Sequence, residues 1–145
     1  MAEEFDRSRR SHESLGVLML DLDHFKAVND AFGHLVGDRV LRNVVHEARK
    51  VLREGDVLFR FGGEEFKVVL PGARPDDLAM MGERIRRAVA EADLVEHGQP
   101  IRVTVSIGGF ACPAGDTTTP QEMIGHADLA LYSSKKSGRD RCVIA

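Results

Sequence analysis

Leu15 to Leu20 is an unbroken apolar run that leads into Asp21-Leu22-Asp23, and a run of that length without alternation predicts a strand covered on both faces. Downstream, Val40, Leu41, Val44, Val45, Ala48, Val51 and Leu52 recur with helical period, and Asp38 stands where a helix cap is expected. Val57, Phe59 and Phe61 alternate, Gly62-Gly63 interrupts, and Phe66, Val68 and Leu70 alternate again; this predicts a hairpin with a tight turn. Pro75, Asp76 and Asp77 open a second helix whose apolar face is Leu78, Met81, Ile85, Ala88 and Val89. Ile101, Val103, Val105 and Ile107 alternate as a further strand. Thr119-Pro120-Gln121-Glu122 joins a capping box to a proline at the first helical position, Gly138 predicts the stop, and residues 141–144 make a last short strand. Residues 3–12 are helix-compatible but too short and polar to hold a helix unaided.

The predicted order is β-α-β-β-α-β followed by α-β: an α/β (α+β) domain with a ferredoxin-like split βαβ core and a C-terminal extension, an arrangement that shares its carboxylate edge with polymerase palms. In that topology the third strand inserts between two parallel strands and runs opposite to both. The hairpin turn then falls beside the end of the first strand, so Asp21, Asp23, Glu64 and Glu65 are expected to converge at one sheet edge. Carboxylates that close raise one another's pKa unless a cation neutralises them. An all-oxygen set with no cysteine nearby favours magnesium, which takes one or two carboxylates together with substrate phosphates.

Beside the acids, Leu22 to Lys26 turns from strand into helix, leaving backbone N–H groups free for an anion, with Lys26 adding charge. Lys135 and Arg139 bracket a helix end, where cations also complement the helix dipole. His24, His34 and His126 have no ligand spacing.

Length and composition narrow the possibilities. The 145 residues suffice for one core without disulfides, and a net charge of −3 gives no general pull toward nucleic acid or anionic lipid. No basic stripe suggests a nucleic-acid partner. Cys112 and Cys142 sit in apolar stretches without metal spacing, so reduced buried thiols and a cytoplasmic location are expected. No apolar run approaches the ~20 residues of a spanning helix, and the charged opening Met1 to Arg10 is unlike a signal peptide.

Asp21-Leu-Asp-His-Phe-Lys26, Asn29-Asp30, Gly33-His34 with Gly37-Asp38, Arg60-Phe-Gly-Gly-Glu-Glu-Phe66, Val103-Thr-Val-Ser-Ile-Gly108, and Ala127-Asp128 through Tyr132, Lys135 and Gly138-Arg139 together resemble the GGDEF family of diguanylate cyclases. The resemblance covers nearly the whole chain. It implies condensation of two GTP into cyclic di-GMP and two pyrophosphates. Asp21, the Leu22 carbonyl and Glu64 then correspond to ligands of two magnesium ions, with manganese an alternative, and Glu65 completes the acidic catalytic site. Lys26, Lys135 and Arg139, with the backbone of His24 and Phe25, correspond to triphosphate contacts. Asn29 and Asp38 match the guanine-reading pair; guanine offers N1–H and an amine to a carboxylate where adenine has no donor.

Arg53-Glu-Gly-Asp56 matches the family's RxxD product-inhibition motif and lies, at ~3.3 Å per strand residue, about 20 Å from the acidic edge. Catalysis is expected to need a homodimer, since each chain supplies one GTP site. The family's opening Asp-x-Leu-Thr-x-Leu-x-Asn-Arg segment has no match in Met1 to Leu15. Residues 1–14 accordingly read as the tail of a truncated helix or linker from an upstream sensory or dimerisation domain, and 15–145 as the catalytic domain. Two further departures are Lys67, where a small or apolar residue is usual, and Asp140, where asparagine is common. The alternative to an active cyclase is a regulatory module of the same family that binds GTP or cyclic di-GMP.

Overall fold

The expected central strand is β1 (Leu15–Leu22), and all eight of its residues are buried. Its odd and even positions serve different cores, as the pleat requires. Leu18, Leu20 and Leu22 enter the larger one; Leu15, Val17 and Met19 enter the smaller. A computed structural model describes residues 1–145. Around β1 the chain runs α1 (Ala2–Ser11), α2 (Phe25–Phe32), α3 (His34–Val51), β2 (Val57–Arg60), β3 (Glu65–Pro71), α4 (Pro75–Ala90), β4 (Leu94–Glu96), β5 (Gln99–Ile101), β6 (Val105–Cys112), α5 (Pro120–Lys136) and β7 (Cys142–Ile144).

The five-stranded sheet has the order β2-β3-β1-β6-β7. β3 lies between β2 and β1 and is antiparallel to both, which is the split βαβ insertion. β6 is antiparallel to β1 on its other side, and β7 adds parallel to β6. α2, α3 and α4 cover one face through residues such as Val28, Val40, Val44, Leu78 and Ile85. α5 covers the other through Met123, Ala127 and Leu131, joined there by Phe5 of α1. No helix is long and apolar enough to cross a membrane. Cys112 and Cys142 are free, the first buried and the second partly so, and burial pushes the Cys142 thiol up to about 11.

The helix starts follow their local chemistry. Thr119 Oγ1 accepts from the Glu122 N–H at 3.2 Å while the Glu122 carboxylate accepts from the Thr119 N–H at 2.7 Å, the reciprocal capping box. Asp77 accepts from the Arg74 N–H at 2.9 Å ahead of Pro75. Asp38, by contrast, is no cap: α3 begins four residues earlier at His34, after Gly33 with φ 88°.

Two other expectations need correction. The strand drawn through Ile101 to Ile107 is split, because Ile101 closes a separate ribbon, β4–β5, while β6 starts only at Val105. His97 (φ 53°) and Gly98 (φ 73°) make its turn with both central residues left-handed, the geometry that matches strand twist in a two-residue hairpin. Between the two strands, Thr104 turns its carbonyl and hydroxyl to Asp23. The β2–β3 turn is also wider than a tight one: Arg60 pairs with Phe66, and the Phe61 and Gly62 N–H groups both donate to the Glu65 carbonyl.

Candidate active site

Asp21, one residue before the end of β1, lies in register between Glu65 of β3 and Ser106 of β6, and the Leu22 N–H donates to the Glu64 carbonyl at 3.2 Å. The sheet therefore brings Asp21, Glu64 and Glu65 to one edge. Asp23 does not join them. Its carboxylate accepts from Thr104 Oγ1 at 2.7 Å, Ser106 Oγ at 2.6 Å and the Asp140 N–H at 3.0 Å, and it is 5% exposed. A carboxylate so fully bonded is a brace tying β1, β6 and the segment after α5, so the expected group of four acids is three.

Asp21 is buried and ion-paired through Oδ2 with Lys135 of α5. Its Oδ1 is buried with no hydrogen-bond partner. The neighbouring Glu64 carboxyl is pushed above its usual range, first by burial and then by the charge of Asp21, with Lys135 opposing and Glu65 adding. A partnerless buried carboxylate oxygen beside a second carboxyl destabilised by burial and charge is what a divalent cation would relieve. No group of three or more His, Cys, Asp or Glu side chains is arranged as a metal cage. A cation here would need the Leu22 carbonyl, water or substrate oxygens beside Asp21 and Glu64, a mixed set that suits magnesium and not a structural zinc.

The turn after β1 supplies anion chemistry. His24 is left-handed (φ 55°), α2 starts at Phe25, and no side chain caps it; the Ala27 N–H donates to the His24 carbonyl at 3.0 Å, while those of Phe25 and Lys26 remain free to meet a ligand. Lys26 is exposed on that first turn. Arg139 is also exposed, and its segment is pinned: the Arg139 N–H donates to the Ser134 carbonyl at 3.0 Å, and Asp140 binds Asp23 through its N–H and Arg86 of α4 through its carboxylate at 2.9 Å. This accounts structurally for Asp140. With Arg139 and Asp140 both left-handed (φ 64° and 46°), those bonds hold a bend that ordinary side chains disfavour.

Asn29 of α2 lies against Gly37 of α3, the residue before Asp38, because Gly37 has no side chain. A Cβ there would fall 1.9 Å from Asn29 Oδ1. Asn29 is half-buried and Asp38 exposed. From Asp38 a cleft of about 540 Å³ runs between α3 and the edge strand β2, with Leu41 and Phe66 among its apolar walls and Arg42, Arg49 and Arg60 along it. Arg42 and Arg49 follow Asp38 at helical spacing, a signal legible in sequence; that they face β2 was not.

Arg53 and Asp56 are partners of each other here. Asp56 accepts from the Arg53 N–H at 2.8 Å and from its guanidinium at 3.1 and 3.3 Å. The Asp56 side chain is 1% exposed and that of Arg53 56%. Arg53 also borders a shallow groove with Asp77, Met80 and Arg84 of α4. Arg84, 31 positions along the chain, was beyond sequence reasoning because only the packing of α3 on α4 brings it there.

Known proteins support the same assignment. Residues 1–141 match the family described as "Diguanylate cyclase, GGDEF domain". The chain is 40% identical over its whole length to diguanylate cyclase DgcP of Pseudomonas aeruginosa, of which it spans 21%. Among solved structures it resembles diguanylate cyclase SiaD of Pseudomonas aeruginosa, crystallised with its activator SiaC (TM-score 0.92, 40% identity, 99% of this chain and 55% of that one). It also resembles the GGDEF domain of DgcB from Caulobacter crescentus, crystallised with c-di-GMP (TM-score 0.90, 30% identity, 98% and 84%). With the acidic strand edge, the uncapped turn and the Gly62 to Phe66 hairpin in one fold, the chain belongs to the GGDEF-domain family of diguanylate cyclases.

Proposed function

We propose that this chain is the catalytic domain of a diguanylate cyclase that condenses two GTP into cyclic di-GMP. The observation that carries the proposal is the buried, partnerless Asp21 Oδ1 beside Glu64, next to the uncapped start of α2. Asp21, the Leu22 carbonyl and Glu64 would hold magnesium, with Glu65 completing the acidic edge. Bound magnesium supplies charge neutralisation on the triphosphate and acidifies the attacking hydroxyl.

The chain's own groups orient the substrate. The N–H groups of His24 and Phe25 meet the phosphates, and Lys26, Lys135 and Arg139 balance their charge. Lys135 would then divide its ammonium between Asp21 and phosphate. Asn29 and Asp38 hold the guanine edge. The 3′-hydroxyl oxygen of one GTP bonds to the α-phosphorus of the other as pyrophosphate leaves and the hydroxyl proton is released; a second, equivalent displacement closes the ring. Since each domain presents one such site, two must face each other. Specific activity is therefore expected to rise with enzyme concentration across the range where sedimentation shows monomers. A flat profile in a monomeric preparation would contradict this. GTP binding without turnover would instead support a regulatory module.

The proposal extends to product feedback at Arg53. Asp56 is occupied as the turn's internal acceptor, so the exposed guanidinium of Arg53, with Arg84 across the groove, is the part open to phosphate or a guanine edge. That position lies away from the acidic edge, so inhibition would act by fixing two domains apart, as coupling between distinct sites. Arg53→Ala is expected to weaken cyclic di-GMP binding at least tenfold and to relieve inhibition while leaving the KM for GTP within about twofold. Calorimetry with the product, and initial rates at rising product, check both halves; unchanged affinity in the variant would sink the idea.

A further inference from the structure

Lys67 is unusual in a strand position beside the acidic hairpin, and it takes part in none of the chain's ion pairs. Its ammonium instead lies 5.6 Å from the centre of the Phe59 ring and 5.2 Å from that of Phe61. The register explains this. Lys67 is directly opposite Phe59 across the β2–β3 pair, and Phe61 is the diagonal neighbour two residues on, within reach of a long side chain. Its partners in register, Phe59 and Met19, place it on the sheet face of the smaller core. There its alkyl stem can lie along apolar surface while the charge reaches the rings.

Phe61 is the first residue of the loop that carries Glu64, and it is 52% exposed, so little else holds its ring. The same loop is gripped from the other side by Arg60, whose Nε donates to the Gly62 carbonyl at 3.1 Å and whose Nη2 donates to the Gly63 carbonyl at 2.7 Å. We propose that Lys67 is a positioning residue: by joining the Phe59 and Phe61 rings it fixes the loop entry, and with Arg60 it sets where the Glu64 carboxylate stands against Asp21. A loop that presents a carboxylate to a cation and a transferring phosphoryl group must be held to within about 0.5 Å. Two glycines in succession would otherwise leave it loose. The kinetic part of this proposal rests on the cyclase reading; the clamp itself does not.

The decisive experiment pairs hydrogen exchange with kinetics in Lys67→Met, Lys67→Arg and Phe61→Leu. Methionine fills the volume without the charge, whereas arginine keeps the cation over the rings. Lys67→Met should speed amide exchange at Phe61 and Gly62, whose N–H groups donate to the Glu65 carbonyl, several-fold and lower kcat for cyclic di-GMP formation roughly three- to tenfold, with the KM for GTP within about twofold. Lys67→Arg should restore both. Phe61→Leu should reproduce the loss, and the Lys67→Met/Phe61→Leu double variant should be no worse than the poorer single.

Unchanged exchange in Lys67→Met, an arginine variant as impaired as methionine, or additive losses in the double variant would each overturn the proposal. Faster exchange with unchanged kcat would overturn the positioning role. A wild-type domain that forms no cyclic di-GMP would defeat the cyclase reading, and the exchange arms would still decide whether Lys67 clamps the loop.

Discussion

Glu64→Gln is expected to lower cyclic di-GMP formation by roughly a hundredfold or more. The side chains are nearly isosteric, and the backbone bond from the Leu22 N–H to the Glu64 carbonyl survives the change, so the hairpin should still close on β1. What disappears is the charge. In the native protein that carboxyl stands above its ordinary pKa because it is partly buried and faces Asp21; an uncharged amide removes this repulsion and costs the fold nothing. The variant should thus be as stable as wild type or slightly more so while losing turnover, a combination that a purely structural acid would not produce. Thermal unfolding and initial rates in magnesium check the two halves together. Near-normal turnover would show that Glu64 holds no catalytic cation.

Guanine selectivity supplies the second large effect. Sequence reasoning alone suggests discrimination near 10⁴-fold, the level reached when a buried polar group is left unpaired by the wrong base. Asn29 is half-buried and Asp38 exposed, so water can partly replace the lost partner and the expectation falls. Hydrogen bonds to a charged group contribute about 1.5–3 kcal/mol, and Asp38→Ala should therefore lower the preference of GTP over ATP, measured as a ratio of kcat/KM, by roughly a hundredfold. Stability should barely change, because α3 starts at His34 and Asp38 caps nothing. An unaltered ratio would remove Asp38 from the guanine site.

Much of the fold was legible because local rules and global packing agree along most of the chain. The uninterrupted run in β1, the alternation on either side of Gly62-Gly63, and the Thr119 capping box each carry a single physical reading, and the split βαβ order follows from them. α2 was harder to separate from α3, since its eight residues end at a glycine that also begins the next helix. The β4–β5 ribbon hid behind His97-Gly98, a turn whose first left-handed position is usually taken by asparagine, aspartate or glycine.

The site divides in the same way. Asp21 and Glu64 could be brought together on paper because strand register is a sequence-level inference. The fate of Asp23 could not, because its partners Thr104, Ser106 and Asp140 lie 81, 83 and 117 residues away and claim it only once β6 and the segment after α5 are in place. Lys67 and Asp140 tell a related story. Both looked like unexplained departures, and both turn out to be bonded to neighbours that only the tertiary structure supplies: the Phe59 and Phe61 rings for one, Asp23 and Arg86 for the other.

The central claim is that the acidic edge, the uncapped turn and the guanine pair together join two GTP molecules into a ring. Incubating the chain with GTP and magnesium at high protein concentration, and identifying the products by chromatography and mass spectrometry, tests it most directly. The expected result is cyclic di-GMP with two pyrophosphates released per product, lowered roughly a hundredfold or more by Glu64→Gln, with little or no cyclic dinucleotide of any kind formed when ATP replaces GTP. GTP recovered intact from a folded domain shown to bind it and to dimerise would contradict the claim.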